Sequence, residues 1–160
     1  MSVGLLLITH AGIGAELLAA ATRMLGACPL RAKALAVGNA DDPESVGKRA
    51  RAYARDLDAG DGVLVLTDLF GSTPSNIASR LGDTGRPRIR ILSGVNLPML
   101  VRVLNYPQLP LDAMVDKAVS GAREGVLICH ASECAVEPDA ARRSRLDPLG
   151  RSLTGGDGRR

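Results

Sequence analysis

Tryptophan is absent from the 160 residues, phenylalanine occurs once and tyrosine twice. Proteins that read single strands by stacking need exposed rings for the bases to lie on, so that class is excluded and no nucleic-acid partner is expected. With aromatics at 2%, the core has to be built from Leu, Val, Ile and Ala. Cysteine is sparse and odd in number: Cys28, Cys129 and Cys134 make no disulfide framework and read as reduced thiols of a cytoplasmic protein. No apolar run approaches the roughly 20 residues that a membrane-crossing helix requires, so no membrane insertion is expected. The first eight residues hold no basic region and no small-residue cleavage site, so a signal peptide is not expected either. Most of the chain also lacks an excess of either charge. The net +3 is carried entirely by residues 138–160, where six arginines stand against three aspartates. The body is neutral, which again disfavours a nucleic-acid-binding surface.

What is present is an apolar share of 46% and a charged share of 23%, ordinary for a globular domain. Residues 1–137 read as one domain, and 138–160, rich in Arg, Gly, Asp and Pro, as a basic, disordered tail. Continuous apolar runs at 3–9 (through Leu5, Leu6, Leu7 and Ile8) and at 63–67 suit strands covered on both faces of a parallel sheet. Residues 30–37 read as a further strand, and 88–93, where Arg88 and Arg90 alternate with apolar residues, as one nearer the sheet edge with a solvated face. Between them lie helical patterns: Leu17, Leu18, Ala21, Met24 and Leu25 before the stop at Gly26, then Val46, Ala50, Tyr53 and Leu57 after an Asp42 cap with Pro43 at the first helical position. Thr73 is expected to cap a helix that has Pro74 at its first position and runs through Ile77 and Leu81 to Gly82. Two more helices carry Met99, Leu100, Val103 and Leu104, and then 111–123. A last short strand is expected at 126–129, from Val126 to Cys129. Strands alternating with helices predict an α/β domain with a mostly parallel sheet.

In open α/β sheets ligands bind beyond the carboxyl ends of the strands, where strand order reverses. For an order 2-1-3-4, that point lies between the first and third strands. It brings together the loop Thr9-His10-Ala11-Gly12 and the loop that runs from Asp68 through Gly71 and Ser72 to Thr73. A neutral imidazole is a nucleophile at physiological pH, and a carboxylate that accepts one ring N–H leaves the other nitrogen free to attack. His10 and Asp68 fit those roles. A phosphoryl group on His10 needs donors for its oxygens, and the backbone N–H groups of Gly71, Ser72 and Thr73 can supply them. No lysine lies near and no carboxylate cluster for Mg²⁺ is apparent, so transfer from an already activated donor is preferred to a metal-dependent kinase, and no cofactor is expected. Gly12 and Gly14 begin a dinucleotide-type pattern, but Leu17 occupies the third glycine position. Cys129, His130 and Cys134 lack a fourth ligand nearby and are a weak zinc signal.

Three stretches in matching order carry a resemblance: Thr9-His10-Ala11-Gly12, the run from Thr67 to Asn76, and Ser93-Gly94-Val95-Asn96-Leu97-Pro98-Met99-Leu100. Over about residues 1–130 the chain resembles the mannose-type enzyme IIA of the bacterial phosphoenolpyruvate-dependent sugar phosphotransferase system. The resemblance implies a four-stranded parallel sheet with helices on both faces, and a homodimer that exchanges a C-terminal strand, here 126–129. It implies that His10 takes a phosphoryl group from phospho-HPr and passes it to a IIB component, with Asp68 as the polarising neighbour and Thr73 as a hydroxyl by the phosphate. Ser72 stands where the family usually has a second glycine, and Ser75 where a larger residue is common. At this length a fused IIB domain does not fit, so the acceptor is expected to be a separate protein. Phe70, Leu97 and Met99 are candidates for an apolar rim that docks partners. The alternatives are a regulatory sensor, whose phosphorylation state controls a partner without a transporter, and a nucleotide-binding flavodoxin-like domain.

Overall fold

A computed structural model describes residues 2–82 and 87–128. The elements follow in the order β1 (Gly4–His10), α1 (Ile13–Leu25), β2 (Ala32–Val37), α2 (Pro43–Leu57), β3 (Val63–Thr67), α3 (Thr73–Ser79), β4 (Ile89–Ser93), α4 (Leu97–Leu104) and α5 (Leu111–Glu124). The four strands form one sheet in the order β2-β1-β3-β4, and every pairing is parallel. The chain divides into two units, Met1–Val126 and Leu127–Arg160; the fold described here is the first.

Period-two alternation sorts the strand side chains between two cores. On one face Leu5, Leu7, Leu64 and Leu66 meet Ala21, Leu100, Val103 and Met114 from α1, α4 and α5. On the other, Leu6, Ile8, Val63 and Val65 meet Val46, Ala50, Ala54 and Ile77 from α2 and α3. Each fully buried leucine contributes roughly 1.5–3 kcal/mol of transfer free energy, and the two central strands, buried on both faces, supply half of the largest fully buried side chains. Aliphatic volume thus replaces the missing aromatics.

The helix boundaries follow from local chemistry. Asp42 caps α2 by accepting the backbone N–H groups of Ser45 at 2.9 Å and Glu44 at 3.4 Å, with Pro43 leading the helix. Asn96 caps α4 through the N–H of Met99 at 2.9 Å. Gly26, at φ 79°, ends α1 in the left-handed region.

One expectation needs correction, and another concerns a strand that the resemblance assigns to pairing with a second copy. The helix after β3 is capped by Ser72, not Thr73, and stops at Ser79; Thr73 is its first residue and Pro74 its second. Ser72 turns its hydroxyl back to donate to the Leu69 carbonyl at 2.7 Å, so it caps by backbone conformation alone. The strand expected from Val126 is not formed over its described residues. Val126, Leu127 and Ile128 have no regular secondary structure and are 75%, 77% and 88% exposed. Cys129 lies outside the described residues, as do His130, Cys134 and the segment 138–160.

Candidate active site

The site begins with a difference in strand length. Ile8 of β1 is in register with Thr67, the last residue of β3, so Thr9 and His10 run past the end of their neighbour. The chain leaving β3 fills the gap with a side chain. Oδ2 of Asp68 accepts the backbone N–H of His10 at 2.9 Å and lies 2.8 Å from Nδ1 of the His10 ring. Its other oxygen accepts the N–H of Leu69 at 3.0 Å. One carboxylate therefore closes the open end of the β1–β3 ladder and aims the imidazole.

The electrostatics fix the proton. Burial pushes the Asp68 carboxyl up, but the backbone and ring N–H groups of His10 outweigh it and hold the acid below its ordinary value. An ionised carboxylate is an acceptor only, so Nδ1 is the donor in this pair. The neutral ring then carries its lone pair on Nε2. The His10 side chain is 38% exposed and that of Asp68 12%, so the orienting group is sheltered while the ring remains accessible.

The supporting structure is close-fitting. The buried hydroxyl of Thr9 accepts the N–H of Gly14 at 2.8 Å, tying the start of α1 to the end of β1. A Cβ on Gly14 would sit 2.9 Å from that hydroxyl and 3.1 Å from Cβ of Leu7, so no larger residue fits. Ala11, directly after His10, is the only described non-glycine residue with positive φ, at 41°. Strain of this kind persists only where the surroundings over-determine the backbone, here the N–H of Ala11 on the Val37 carbonyl at 3.1 Å. Behind Asp68, Thr67 donates its buried hydroxyl to Ser93 at 3.0 Å, joining the ends of β3 and β4.

The turn after Asp68 exposes its apolar residues. Gly71 takes φ 77°, as the third position of a type II turn requires, and the Ser72 N–H closes that turn on the Leu69 carbonyl at 3.4 Å. Of the three residues expected to receive phosphate oxygens, Ser72 thus has both its N–H and its hydroxyl directed to Leu69. Gly71 and Thr73 are exposed.

The expected docking rim is brought together only in part. Phe70 is 86% exposed, whereas Leu97 is half-buried against the core formed with α1, α4 and α5. Met99 is 3% exposed and belongs to that core, so it is not a rim residue: the Asn96 cap fixes the start of α4 and the helical period turns Met99 inward. Sequence reasoning missed Leu69 and Ile13, which are 62% and 45% exposed beside Asp68 and at the start of α1. Their signal was an apolar residue in, or directly after, the loops that follow β1 and β3, outside the buried stripes. Arg88 and Arg90 lie on the solvated face as expected and both pair with Asp112. Cys28 is exposed. Among the described residues no group of His, Cys, Asp and Glu could hold a metal ion.

Fold and site together define a parallel α/β domain built around one accessible, carboxylate-oriented histidine at a topological switch point. Comparison with known proteins gives that class a family. The family described as PTS system fructose IIA component matches residues 4–119, and the chain belongs to it, as a IIA component of the phosphoenolpyruvate-dependent sugar phosphotransferase system. It is 32% identical over 133 residues to the mannose-specific EIIAB component of Escherichia coli K12, a match that takes in 79% of this chain. The chain spans 39% of the length of that relative. The mannose/sorbose-specific IIA subunit from Enterococcus faecalis superposes with a TM-score of 0.71 at 25% identity, covering 81% of this chain and 96% of that one. Component EIIA from Streptococcus agalactiae gives 0.68 at 25% identity, over 79% and 96%. IIA components carry phosphoryl groups in sugar uptake through a phosphohistidine intermediate, and these matches do not favour the regulatory alternative.

Proposed function

We propose that this chain is a phosphocarrier in which Nε2 of His10 accepts a phosphoryl group from phospho-HPr and passes it to a IIB component. The observation that carries the proposal is the pair formed by Nδ1 of His10 and Oδ2 of Asp68 at 2.8 Å, on a ring that remains open to another protein. In the transfer, the Nε2 lone pair attacks phosphorus while the P–N bond of the donor breaks and its electrons return to the donor ring. The His10 ring keeps its Nδ1 proton and becomes cationic, and the Asp68 carboxylate offsets that charge. The onward step is the same displacement with His10 as the leaving group. Thr73 and the Gly71 amide are the donors best able to receive phosphoryl oxygens; Ser72 would have to release Leu69 to join them.

Partner docking falls to the exposed apolar residues around the ring: Phe70, Leu69 and Ile13, with Leu97 behind them. The working unit in this reading is residues 1–137, with 138–160 as a basic tail, and it operates in the cytoplasm; no helix among the described residues is long and apolar enough to cross a membrane. Three consecutive exposed apolar residues, Val126, Leu127 and Ile128, support a homodimer in which a second copy covers them.

The test is incubation with phosphoenolpyruvate, enzyme I and HPr. The expected result is an acid-labile phosphate on His10, absent from His10→Ala, and released on addition of the cognate IIB protein. An unlabelled wild type, or a label that survives in His10→Ala, would overturn the assignment.

A further inference from the structure

A second polar recess lies on the face of the sheet that carries α2 and α3. A cavity of about 190 Å³ is lined by Pro43, Thr73, Asn76, Ile77 and Arg80. A smaller one of about 50 Å³ shares Pro43, Ile77 and Arg80 with it and reaches Gly47 and Arg51. Gly47 is buried in the interior of α2, a position where glycine is otherwise a poor choice. A Cβ placed there would lie 3.7 Å from Nη1 and 4.0 Å from Nη2 of Arg51, so the guanidinium folds back one helical turn onto bare backbone. Among the described residues neither Arg51 nor Arg80 has a carboxylate partner. The one acid in the lining, Glu44, is drawn to Lys48 at 3.0 Å.

We propose that this groove binds a small organic phosphate. Guanidinium groups present planar, forked donors that match phosphate oxygens, and Arg51 from α2 and Arg80 from the C-terminal cap of α3 line one recess. The Thr73 hydroxyl and the Asn76 amide offer neutral partners for the hydroxyls of the organic part, and Pro43 and Ile77 offer apolar walls for its carbons. The volume is below the roughly 300 Å³ at which pockets for drug-sized ligands begin, so the occupant is a small metabolite. The N-terminus of α2 does not carry the site, because Asp42 already accepts its N–H groups of Glu44 and Ser45. His10 and Asp68 do not line the groove, so its occupant does not take the place of the ring that carries the phosphoryl transfer proposed above. Thr73, which opens α3 and is proposed above as a donor to the phosphoryl oxygens, also lines the cavity, so the groove adjoins the transfer site.

Binding is measured on the full, unphosphorylated chain, so failure of phosphoryl transfer does not affect the result. The probes are glycerol phosphate and mannose phosphate, with glycerol and mannose as uncharged counterparts and inorganic phosphate alone, followed by amide chemical shifts. Saturable shifts are expected at Glu44, Gly47, Arg51, Asn76 and Arg80 with the organic phosphates. Arg51→Gln and Arg80→Gln should each weaken binding roughly ten- to hundredfold, the range for losing a charge-assisted hydrogen bond, and Lys117→Gln, on α5 at the other face of the sheet, should leave it unchanged. Absence of saturation, equal binding in both arginine variants, equal binding of the uncharged counterparts, or inorganic phosphate binding as tightly as the organic probes would each overturn the proposal. So would shifts centred on His10 and Asp68 instead.

Discussion

Replacing Asp68 by asparagine preserves the shape of the side chain and removes its charge, and the consequence can be worked through atom by atom. The carboxylate accepts three N–H groups: the backbone and ring donors of His10 on Oδ2 and the backbone donor of Leu69 on Oδ1. An amide has one oxygen, so one of those two positions acquires an NH₂ group that faces a donor. If the NH₂ faces the ring, Nδ1 has to become the acceptor, the proton moves to Nε2, and the outward lone pair is lost. If it faces Leu69 instead, the ring keeps its tautomer but the cationic phosphohistidine has no counter-charge. Either outcome removes a charge-assisted hydrogen bond worth about 1.5–3 kcal/mol, on a side chain only 12% exposed, and slows transfer roughly 10- to 100-fold. The assay is the single-turnover rate of acid-labile labelling by phospho-HPr, with nitrogen chemical shifts of the ring reporting its tautomer. A variant that transfers within about twofold of the wild type, well inside that range, would refute the idea that Asp68 directs the imidazole.

Ala11→Gly should stabilise the fold: the left-handed penalty of about 1–2 kcal/mol is relieved, against about 0.4–1 kcal/mol of added chain entropy in the unfolded state. A raised denaturation midpoint checks it, and an unchanged or lower one would show that φ 41° is not strained here. Stability should also fall on the acid side. Asp68 is held low by His10 against the effect of burial, Asp56 chiefly by the hydrogen bond from Lys33, and Asp112 chiefly by that from Arg90. Between their folded and unfolded pKa values the unfolded chain binds more protons. Their contribution is therefore complete above the ordinary carboxylate value, near 4, and is lost as pH drops through the lower folded values. Acid titrations of the wild type and of Asp68→Asn, read by circular dichroism, should differ mainly below about pH 4, with the variant showing the shallower decline. Phe70→Ser should leave the melting temperature unchanged, since the ring is 86% exposed, yet raise the KM for phospho-HPr about tenfold if the ring anchors docking; an unchanged KM would remove Phe70 from the partner surface.

Much of this protein could be read from its sequence because strongly patterned local signals coincide with the final packing. The apolar runs of β1 and β3 suit a strand covered on both faces, and a cap such as Asp42 acts through neighbours two or three residues away. His10 and Asp68 were legible as partners because they stand at the carboxyl ends of the two central strands, and in a 2-1-3-4 sheet those strand ends meet. What tertiary structure alone decided was which atoms meet. The two-residue overhang of β1 past β3 is a matter of register, and it turns Asp68 onto both the backbone and the ring of His10 and so selects Nε2. The same holds for the inward turn of Met99, for Ser72 folding back onto Leu69, and for the strain at Ala11. Chain-local chemistry sets periodicity and caps, but register and burial are set by contacts between residues distant in sequence, and the proton on the imidazole follows from those contacts.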